Sequence, residues 1–411
     1  MRTDMVSSAT APHATGHRRR QLRLAIYYPW LYLQSGGERT IYEFVARSRH
    51  DWTIITNRYD ADSTYPELRK LKIVQLDAVS VKRTFTEVLR AGARIFTQKL
   101  PLEGFDGVLV FCEGLGDLIL FRNSDLPTVC YCFTPLRAAF DEQYQARYLA
   151  MNGNSLARRA ALRIGAFVFR WIDRQAWKRY QHVFAMSLEV ARRIREGRLC
   201  GPEKMSMLYA GIDTKRMRPS YHYEPYFLLP GRIMWTKNTE LGLKSFMEMK
   251  RQRPDLAHFE LFVAGFVDNK SKPYLAELRG LAGGRTDIRF VVTPSDEELF
   301  ALYERCFSVL YTPFNEDMGL IPVEAMAFGK PIVTVNRGGP RETVTDGETG
   351  FLLEPNPQSI ATALIRLADN PGLVRTMGER GVQAARRFDW SHFQQVIDNH
   401  FEGLSAARSP G

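Results

Sequence analysis

Two glutamates in the segment from 311 to 350 are the residues of this chain best suited to chemistry. Glu316 stands in a polar loop, and Glu324 follows it with seven residues between them. The apolar spacing predicts that a short helix begins near Gly319 or Leu320 and that a buried strand follows it. Glu316 then precedes the helix, and Glu324 lies about one turn inside it.

The predicted helix start is suited to binding an anion. Free backbone N–H groups of Met318, Gly319 and Leu320 would lie between the two carboxylates, and helix N-termini attract phosphate. Carboxylates beside a phosphate site suit a ligand rich in both hydroxyls and phosphate, such as a sugar nucleotide. On this segment alone, a capped and solvated helix start is an equally good interpretation.

A pair of cations and a pair of glycines lie at two other predicted turns. Arg232 and Lys237 flank the turn after a predicted strand at 226–229, where an arginine fork and a lysine point charge could neutralise a diphosphate. Gly36 and Gly37 follow the first predicted strand and precede a helix expected from about 40 to 47, so the backbone can approach a ligand closely. Two surface cations and an ordinary tight turn are the alternatives.

Strands alternating with helices predict an α/β protein of two doubly wound, Rossmann-like domains that face a cleft. A chain of 411 residues is too long for one ordinary core. We therefore expect a disordered tail at 1–20, a first domain at 21–213, a linker at 214–225, a second domain at 226–385, and a C-terminal helix and tail at 386–411. The last helix, about 391–404, is expected to cross back to the first domain.

Composition excludes several classes of protein. A hydrophobic content of 45% and a charged content of 25% are typical of a soluble globular protein. No apolar run approaches the roughly 18 residues that span a bilayer, and the N-terminus has no apolar leader, so we expect a cytoplasmic protein. The five cysteines and eight histidines show no metal-ligand spacing, and we expect neither a metal nor a tightly bound cofactor.

The net charge of +11 is concentrated in one region. Residues 155–200 carry eleven Lys or Arg against three acidic residues, with aromatic residues interleaved. A basic, aromatic helix of this kind suits an anionic membrane surface, whereas a solvated basic face is the alternative. No nucleic-acid-binding motif accompanies the region, so we expect no nucleic acid partner.

Taken together, these motifs resemble the family-4 retaining glycosyltransferases of the GT-B fold. The resemblance covers roughly residues 22–385 and is most specific from 313 to 350. Within the family, the segment 335–343 is similar to GDP-mannose-dependent α-mannosyltransferases of O-antigen and lipid-linked oligosaccharide synthesis. The segment 133–137 looks like the His-Thr-Pro-Met-Arg stretch of the bacterial members.

The resemblance implies a role for each donor-side residue. Glu316, Arg232 and Lys237 would be catalytic, with the two cations holding the diphosphate and Glu316 facing the donor sugar. Glu324 would bind the ribose hydroxyls. The remaining donor-binding residues would be Gly37, Met318, Gly319 and Leu320. The nucleotide sugar would be a co-substrate, and no metal would be required.

The acceptor side departs from the family pattern. Phe133 occupies the position where these enzymes usually carry a histidine, and Arg137 follows it at the predicted mouth of the cleft. A phenyl ring neither hydrogen-bonds a sugar hydroxyl nor transfers a proton. The departure indicates either a changed acceptor side, with the ring stacked on a sugar, or a weakened transferase.

We therefore expect a metal-independent hexosyltransferase. It would move mannose from GDP-mannose, with retention, onto a lipid-linked or growing glycan in cell-surface polysaccharide synthesis, at the inner face of the plasma membrane. A UDP-sugar is the alternative donor, and a silent sugar-nucleotide-binding subunit is the alternative function. A sugar-nucleotide epimerase would need an acid/base pair around the sugar, which the sequence does not reveal.

Overall fold

The computed structural model describes residues 20–81 and 85–408, so nearly all of the predicted N-terminal tail lies outside the described residues. Over those two ranges, no helix combines the length and the apolar character needed to cross a bilayer.

The first domain is built on a parallel sheet. Its strands are β1 (Arg23–Tyr27), β2 (Trp30–Leu31), β3 (Asp51–Thr56), β4 (Arg58–Tyr59), β5 (Ile73–Gln75), β6 (Gly107–Glu113), β7 (Thr128–Thr134), β8 (His182–Ala185) and β9 (Met205–Met207). The sheet order β5-β3-β1-β6-β7-β8-β9 reverses direction beside β1, while β2 and β4 pair separately. Ligands bind beyond the carboxyl ends of strands at such a reversal.

Helices cover both faces of this sheet, which buries its apolar strands on two sides. They are α1 (Gly36–Arg47), α2 (Phe85–Thr97), α3 (Arg137–Phe140), α4 (Glu142–Asn152), α5 (Leu156–Trp177) and α6 (Leu188–Glu196). Ser187 caps α6 by accepting the N–H of Val190 at 3.0 Å.

The second domain repeats this architecture. Its strands are β10 (Tyr226–Pro230), β11 (Glu260–Gly265), β12 (Ile288–Val292), β13 (Ser308–Tyr311), β14 (Ile332–Val335) and β15 (Gly350–Leu353), in the parallel order β12-β11-β10-β13-β14-β15. Its helices are α7 (Thr239–Gln252), α8 (Lys272–Ala282), α9 (Asp296–Arg305), α10 (Leu320–Ala327), α11 (Pro340–Thr343), α12 (Pro357–Ala368) and α13 (Pro371–Ala385). The predicted α/β class with two doubly wound domains is confirmed.

The last helix, α14 (Trp390–Arg408), crosses back to the first domain, as expected. The ring of Phe401 packs edge-on against Trp52 at 5.5 Å, and that of Phe393 packs against Phe44 at 5.9 Å. Asp398 accepts a hydrogen bond from Ser48 at 2.7 Å. The core of the first domain therefore includes the end of the chain.

Two predicted boundaries near the cleft are wrong. Helix α1 begins at Gly36, four positions before the predicted start, because Ser35 caps it and Gly36 and Gly37 form its first turn. The strand predicted over 128–132, with Phe133 after it, is β7, which runs to Thr134, so Phe133 lies inside the strand and not beyond it. A pair of glycines predicts a loop, because glycine is a poor helix former. Here the capping serine before the pair is sufficient to start the helix.

Candidate functional site

The loop that precedes α10 presents backbone N–H groups to the cleft. Gly319 caps the helix with φ at +79°, a left-handed conformation that strains residues with a side chain. Among the described residues, the N–H groups of Met318, Gly319 and Leu320 donate no hydrogen bond. They are therefore available to an anionic ligand, as the sequence predicts.

A second glycine lets another segment support this loop. A Cβ on Gly339 would lie 2.2 Å from the carbonyl oxygen of Met318, which is closer than any side chain tolerates. The N–H of Gly339 instead donates to the carbonyl of Glu316 at 2.9 Å. The start of α11 therefore packs directly beneath the loop at 312–319, which we call the donor loop.

Lys237 and Glu316 meet in the cleft although 79 positions separate them. The ammonium of Lys237 lies 2.6 Å from Glu316 Oε2 and 3.3 Å from the hydroxyl of Tyr311. The same Tyr311 hydroxyl donates to Glu316 Oε2 at 2.7 Å. Burial acts to raise the pKa of Glu316, but the Lys237 charge and the hydrogen bonds from Lys237 and Tyr311 together outweigh it and hold the pKa below its usual value. Glu316 is therefore an ionised carboxylate at neutral pH.

Glu324 lies in α10 and is oriented by a tyrosine. The hydroxyl of Tyr303 donates to Glu324 Oε2 at 3.0 Å. Burial raises the pKa of Glu324, and the bond from Tyr303 and the charge of Arg39 only partly oppose this rise. The carboxylate is held in one orientation with acceptor capacity remaining for ligand hydroxyls.

Arg232 is the predicted cation without a counter-ion. Its side chain is half-buried, and within residues 20–81 and 85–408 it makes neither an ion pair nor a hydrogen bond. Its positive charge acts to lower the pKa of Glu38 in the first domain. An arginine held near the cleft without a partner is suited to receive a phosphate.

The starts of α1 and α10 face each other across the cleft. A Cβ on Gly36 would lie 3.8 Å from the Leu320 side chain, so the two glycines of α1 are close to the donor loop. The N–H of Gly37 makes a long bond, 3.3 Å, to Ser35 Oγ. The structure thus brings the predicted donor residues of both domains together.

Phe133 belongs to an aromatic cluster. Its ring stacks on Phe111 at 5.4 Å and packs edge-on against Tyr131 at 5.3 Å and Tyr28 at 6.3 Å. Only 7% of Phe133 is exposed. A Cβ on Gly37 would lie 3.6 Å from the Phe133 ring, so the cluster borders the cleft. The ring has little free surface for stacking on a sugar.

Arg137 connects the two domains. Its guanidinium pairs with Asp141 at 3.1 Å and donates to the carbonyl oxygen of Asn315 in the donor loop. Asp317 and Asp141 outweigh burial and raise the pKa of Arg137. Arg137 therefore lies at the predicted cleft mouth, but its guanidinium already has protein partners.

Two acceptor-side glutamates were not predicted. Exposed Glu113 ends β6 and accepts a hydrogen bond from Tyr28 at 2.8 Å. Buried Glu38 accepts bonds from Ser35 and from the N–H of Leu33, and burial raises its pKa to about 7. The signal available in sequence was a glutamate at a strand end, where functional groups often lie.

The cysteines do approach one another. The thiols of Cys112, Cys130 and Cys132 lie within 4.8 Å of one another in the apolar core, although their spacing predicted no such group. Cys112 also contacts Asp117 at 2.8 Å. All three are free, fully buried residues of β6 and β7 that pack in the core on one face of the sheet. The absence of a metal site remains a prediction.

Comparison with known proteins identifies the second domain. The family model described as glycosyl transferases group 1 matches residues 213–384. The chain is 33% identical over 182 residues to alpha-1,3/1,6-mannosyltransferase ALG2 of Mus musculus, covering 42% of this chain and 43% of that protein. It is 31% identical over 208 residues to D-inositol 3-phosphate glycosyltransferase of Streptomyces bingchenggensis, covering 46% and 45%. Each match spans less than half the length of the curated relative.

Comparison of folds extends over both domains. The chain is similar to Anabaena Alr3699/HepE in complex with UDP and glucose, with a TM-score of 0.70 at 15% identity, covering 93% of this chain and 100% of that one. At this identity the likeness establishes the fold alone. The chain therefore carries a domain of the glycosyl transferases group 1 family and has the two-domain GT-B fold.

Proposed function

We propose that the chain is a metal-independent glycosyltransferase that moves a hexose from a nucleotide sugar, with retention, onto a glycan acceptor. The observation that carries the proposal is the cationic end of the cleft. Free N–H groups at the start of α10 lie there with two cations, Arg232, which has no ion-pair partner among the described residues, and Lys237, which is paired with Glu316. The start of α1 lies opposite them. This arrangement is suited to a diphosphate.

The two cations would act on the leaving group. As the bond between the sugar and the diphosphate breaks, negative charge builds on the diphosphate. Arg232 and Lys237 would stabilise that charge in a partly buried site, where electrostatic interactions are stronger than in water. Lys237 is already positioned by Glu316 and Tyr311, so little reorganisation is needed.

The two glutamates would bind opposite ends of the donor. Glu316 is ionised and can accept bonds from donor sugar hydroxyls while facing the developing oxocarbenium ion. Glu324, oriented by Tyr303, would accept bonds from the ribose hydroxyls. The acceptor hydroxyl would attack from the face that the nucleotide leaves, and a phosphate oxygen of the leaving group would take its proton.

Mannose from GDP-mannose is the donor that we propose first. The motif at 335–343 and the similarity to a protein named as a mannosyltransferase support it. A UDP-hexose is the alternative, because a neighbour of the same fold was crystallised with UDP and glucose. For the acceptor, we propose a lipid-linked or growing glycan of cell-surface polysaccharide synthesis.

The test measures donor binding and turnover. Calorimetry with GDP, UDP, GDP-mannose and UDP-glucose, followed by measurement of nucleotide release, identifies the donor. We expect one donor to bind and Arg232→Ala to weaken that binding, whereas Lys244→Ala, on the exposed face of α7, should leave it unchanged. If no nucleotide sugar binds and Arg232→Ala behaves like wild type, the proposal is wrong.

A silent sugar-nucleotide-binding subunit is the second candidate. Phe133 favours it, because this ring packs among other aromatic rings in the place where a histidine is usual. The candidate predicts donor binding without transfer to any acceptor. Transfer to any glycan by the wild-type chain would exclude it.

We further propose that α5 docks the first domain on an anionic membrane at the inner face of the plasma membrane. Large apolar side chains at Ile164, Phe167, Val168 and Trp171 are exposed at helical spacing. Exposed arginines such as Arg163 accompany them. Apolar and basic groups exposed on one helix are suited to anionic lipid headgroups.

Vesicle flotation tests the docking proposal. The full chain should bind vesicles containing phosphatidylglycerol and not vesicles of phosphatidylcholine alone. Arg159→Glu with Arg163→Glu should abolish binding, whereas Arg251→Glu with Arg375→Glu, exposed arginines of the second domain, should retain it. Equal binding by both pairs of variants would contradict the role of α5.

A further inference from the structure

One arginine of the first domain is almost completely enclosed at the boundary with the second. Arg193 of α6 is 1% exposed, although a guanidinium carries its charge at every physiological pH. A buried charge persists only when partners satisfy it. The partners of Arg193 therefore indicate the role of its side chain.

Those partners come from both sides of the cleft. One guanidinium nitrogen, Nη1, donates to Thr134 Oγ1 at 3.1 Å and to the carboxylate of Asp317. The other, Nη2, pairs with Glu189 at 3.1 Å and Asp141 at 3.5 Å. Thr134 follows Phe133 at the end of β7, and Asp317 follows Glu316 in the donor loop. Arg193 thus joins the acceptor-side strand to the donor-side loop.

The same loop is held at two further points by the first domain. The hydroxyl of Ser187, the cap of α6, donates to the carbonyl oxygen of Asp317. Arg137 donates to the carbonyl oxygen of Asn315. Residues on both sides of Glu316 are therefore bonded to the first domain, so the orientation of Glu316 depends on how the two domains meet.

We propose that Arg193 and Asp317 are positioning residues that set the loop carrying Glu316 when the two domains are closed. The inference rests on the proposed function and adds a link between domain closure and reactive geometry. When the domains separate, Asp317 loses Arg193, and the loop keeps only the contacts within its own domain. Glu316 then loses the alignment with the donor sugar that the reaction requires.

Asp317→Asn is the best test variant because it leaves the buried arginine compensated. Arg193 keeps Glu189 and Asp141, so the fold should survive. We expect kcat with the donor that calorimetry identifies to fall on the order of 100-fold, the scale of a small misplacement of reacting groups. The Kd for the free nucleoside diphosphate should change less than about threefold, because the cations and N–H groups that bind it are untouched.

Two more variants separate positioning from stability. Arg193→Met should lower both kcat and thermal stability, since it leaves Asp317 without its nearest cation. The double variant Asp317→Asn with Arg193→Met should regain much of the stability, because Asp141 keeps Arg137 and Glu189 keeps Arg192, but it should not regain kcat. Recovery of kcat together with stability would show that the pair is merely structural.

Asp296→Asn is the matched control. It removes another ion pair between the domains, Arg39 with Asp296 at 3.0 Å, without touching residues 315–317. We expect its kcat to remain near wild type. Equal kcat for Asp317→Asn and Asp296→Asn would overturn the proposal, as would a loss of diphosphate affinity that matches the loss of kcat.

Small-angle X-ray scattering tests closure without any assay of activity. The ligand-free double variant should have a larger radius of gyration than the wild type, because the buried link between the domains is gone. An unchanged radius would contradict the closure step. If the wild type binds no nucleotide sugar, the proposed function fails, while this scattering result still decides whether the pair holds the domains together.

Discussion

The two faces of the cleft differ in how their polar groups are bonded. On the second-domain face, Arg232 and the N–H groups at the start of α10 have no hydrogen-bonding partner among the described residues. On the first-domain face, Glu113 is bonded to Tyr28, and the Phe133 ring packs among aromatic rings. Polar groups left without a protein partner indicate ligand chemistry. The donor class can therefore be inferred more sharply than the acceptor.

Removal of the Lys237 charge should have the largest effect and would test the donor side of this comparison. Lys237→Ala removes the cation that we assign to the leaving diphosphate and leaves Glu316 without its closest partner. We expect kcat to fall by about 10²- to 10³-fold, as when one preorganised electrostatic group is lost. Nucleotide-release assays measure it, and Lys244→Ala is the control. A loss smaller than about tenfold would place Lys237 outside the reaction.

Glu38 offers a test of the acceptor side through pH. Burial raises the pKa of Glu38 from 4.5 to about 7, so folding favours the protonated form. The resulting stability is present below the unfolded pKa and is lost as pH rises through the folded pKa. Relative to Glu38→Gln, the wild type should lose about 2 kcal/mol of unfolding free energy between a pH of about 5.5 and a pH of about 8.

Urea denaturation at the two pH values measures this difference. Glu297→Gln, a change at an exposed glutamate of α9, should show no such pH dependence. A wild type that loses no stability relative to Glu38→Gln would mean that water reaches the Glu38 carboxylate.

Glu324→Gln should weaken donor binding moderately. The amide keeps one acceptor oxygen, but it loses the charge that strengthens bonds from ribose hydroxyls. We expect the Kd of the nucleotide sugar to rise about tenfold, near 1.4 kcal/mol. Calorimetry measures it. Because Tyr303 only orients the carboxylate, Tyr303→Phe should have a smaller effect, and the reverse ranking would contradict the assigned roles.

Phe133→His should have the smallest effect on the donor. The cations and N–H groups of the donor site are unchanged, so the Kd of the nucleotide sugar should stay within about twofold of wild type. A larger change would mean that the two faces of the cleft are not independent. In the same variant, a rise in transfer to glycan acceptors would support a weakened transferase, while unchanged transfer would support an altered acceptor side.

Local patterns were sufficient to predict much of the donor side. The strand at Ile332–Val335 and the helix start at Leu320 lie where apolar runs and glycine positions indicate. The predicted proximity of Glu316, Glu324 and the free N–H groups depends on only nine residues of chain. Contacts within so short a segment can be predicted from sequence, because few alternative conformations of the segment compete with the one observed.

Long-range pairing could not be predicted. Tyr28 and Glu113 meet across 85 positions, and Arg193 and Asp317 meet across 124. Neither pair has a local pattern, since an arginine on a helix is most often a solvated residue. The packing of β1 beside β6 brings Tyr28 to Glu113. The packing of α6 against the donor loop brings Arg193 to Asp317.

The crossing of α14 has a consequence for the order in which the protein forms during translation. The aromatic rings of Trp52 and Phe44 lie in the domain made before the second one, yet they are covered by Phe401 and Phe393, which are synthesised after it. The N-terminal domain therefore emerges from the ribosome with an uncovered apolar surface. That surface stays open until the whole second domain has been made, so the two halves of the cleft complete their folding together.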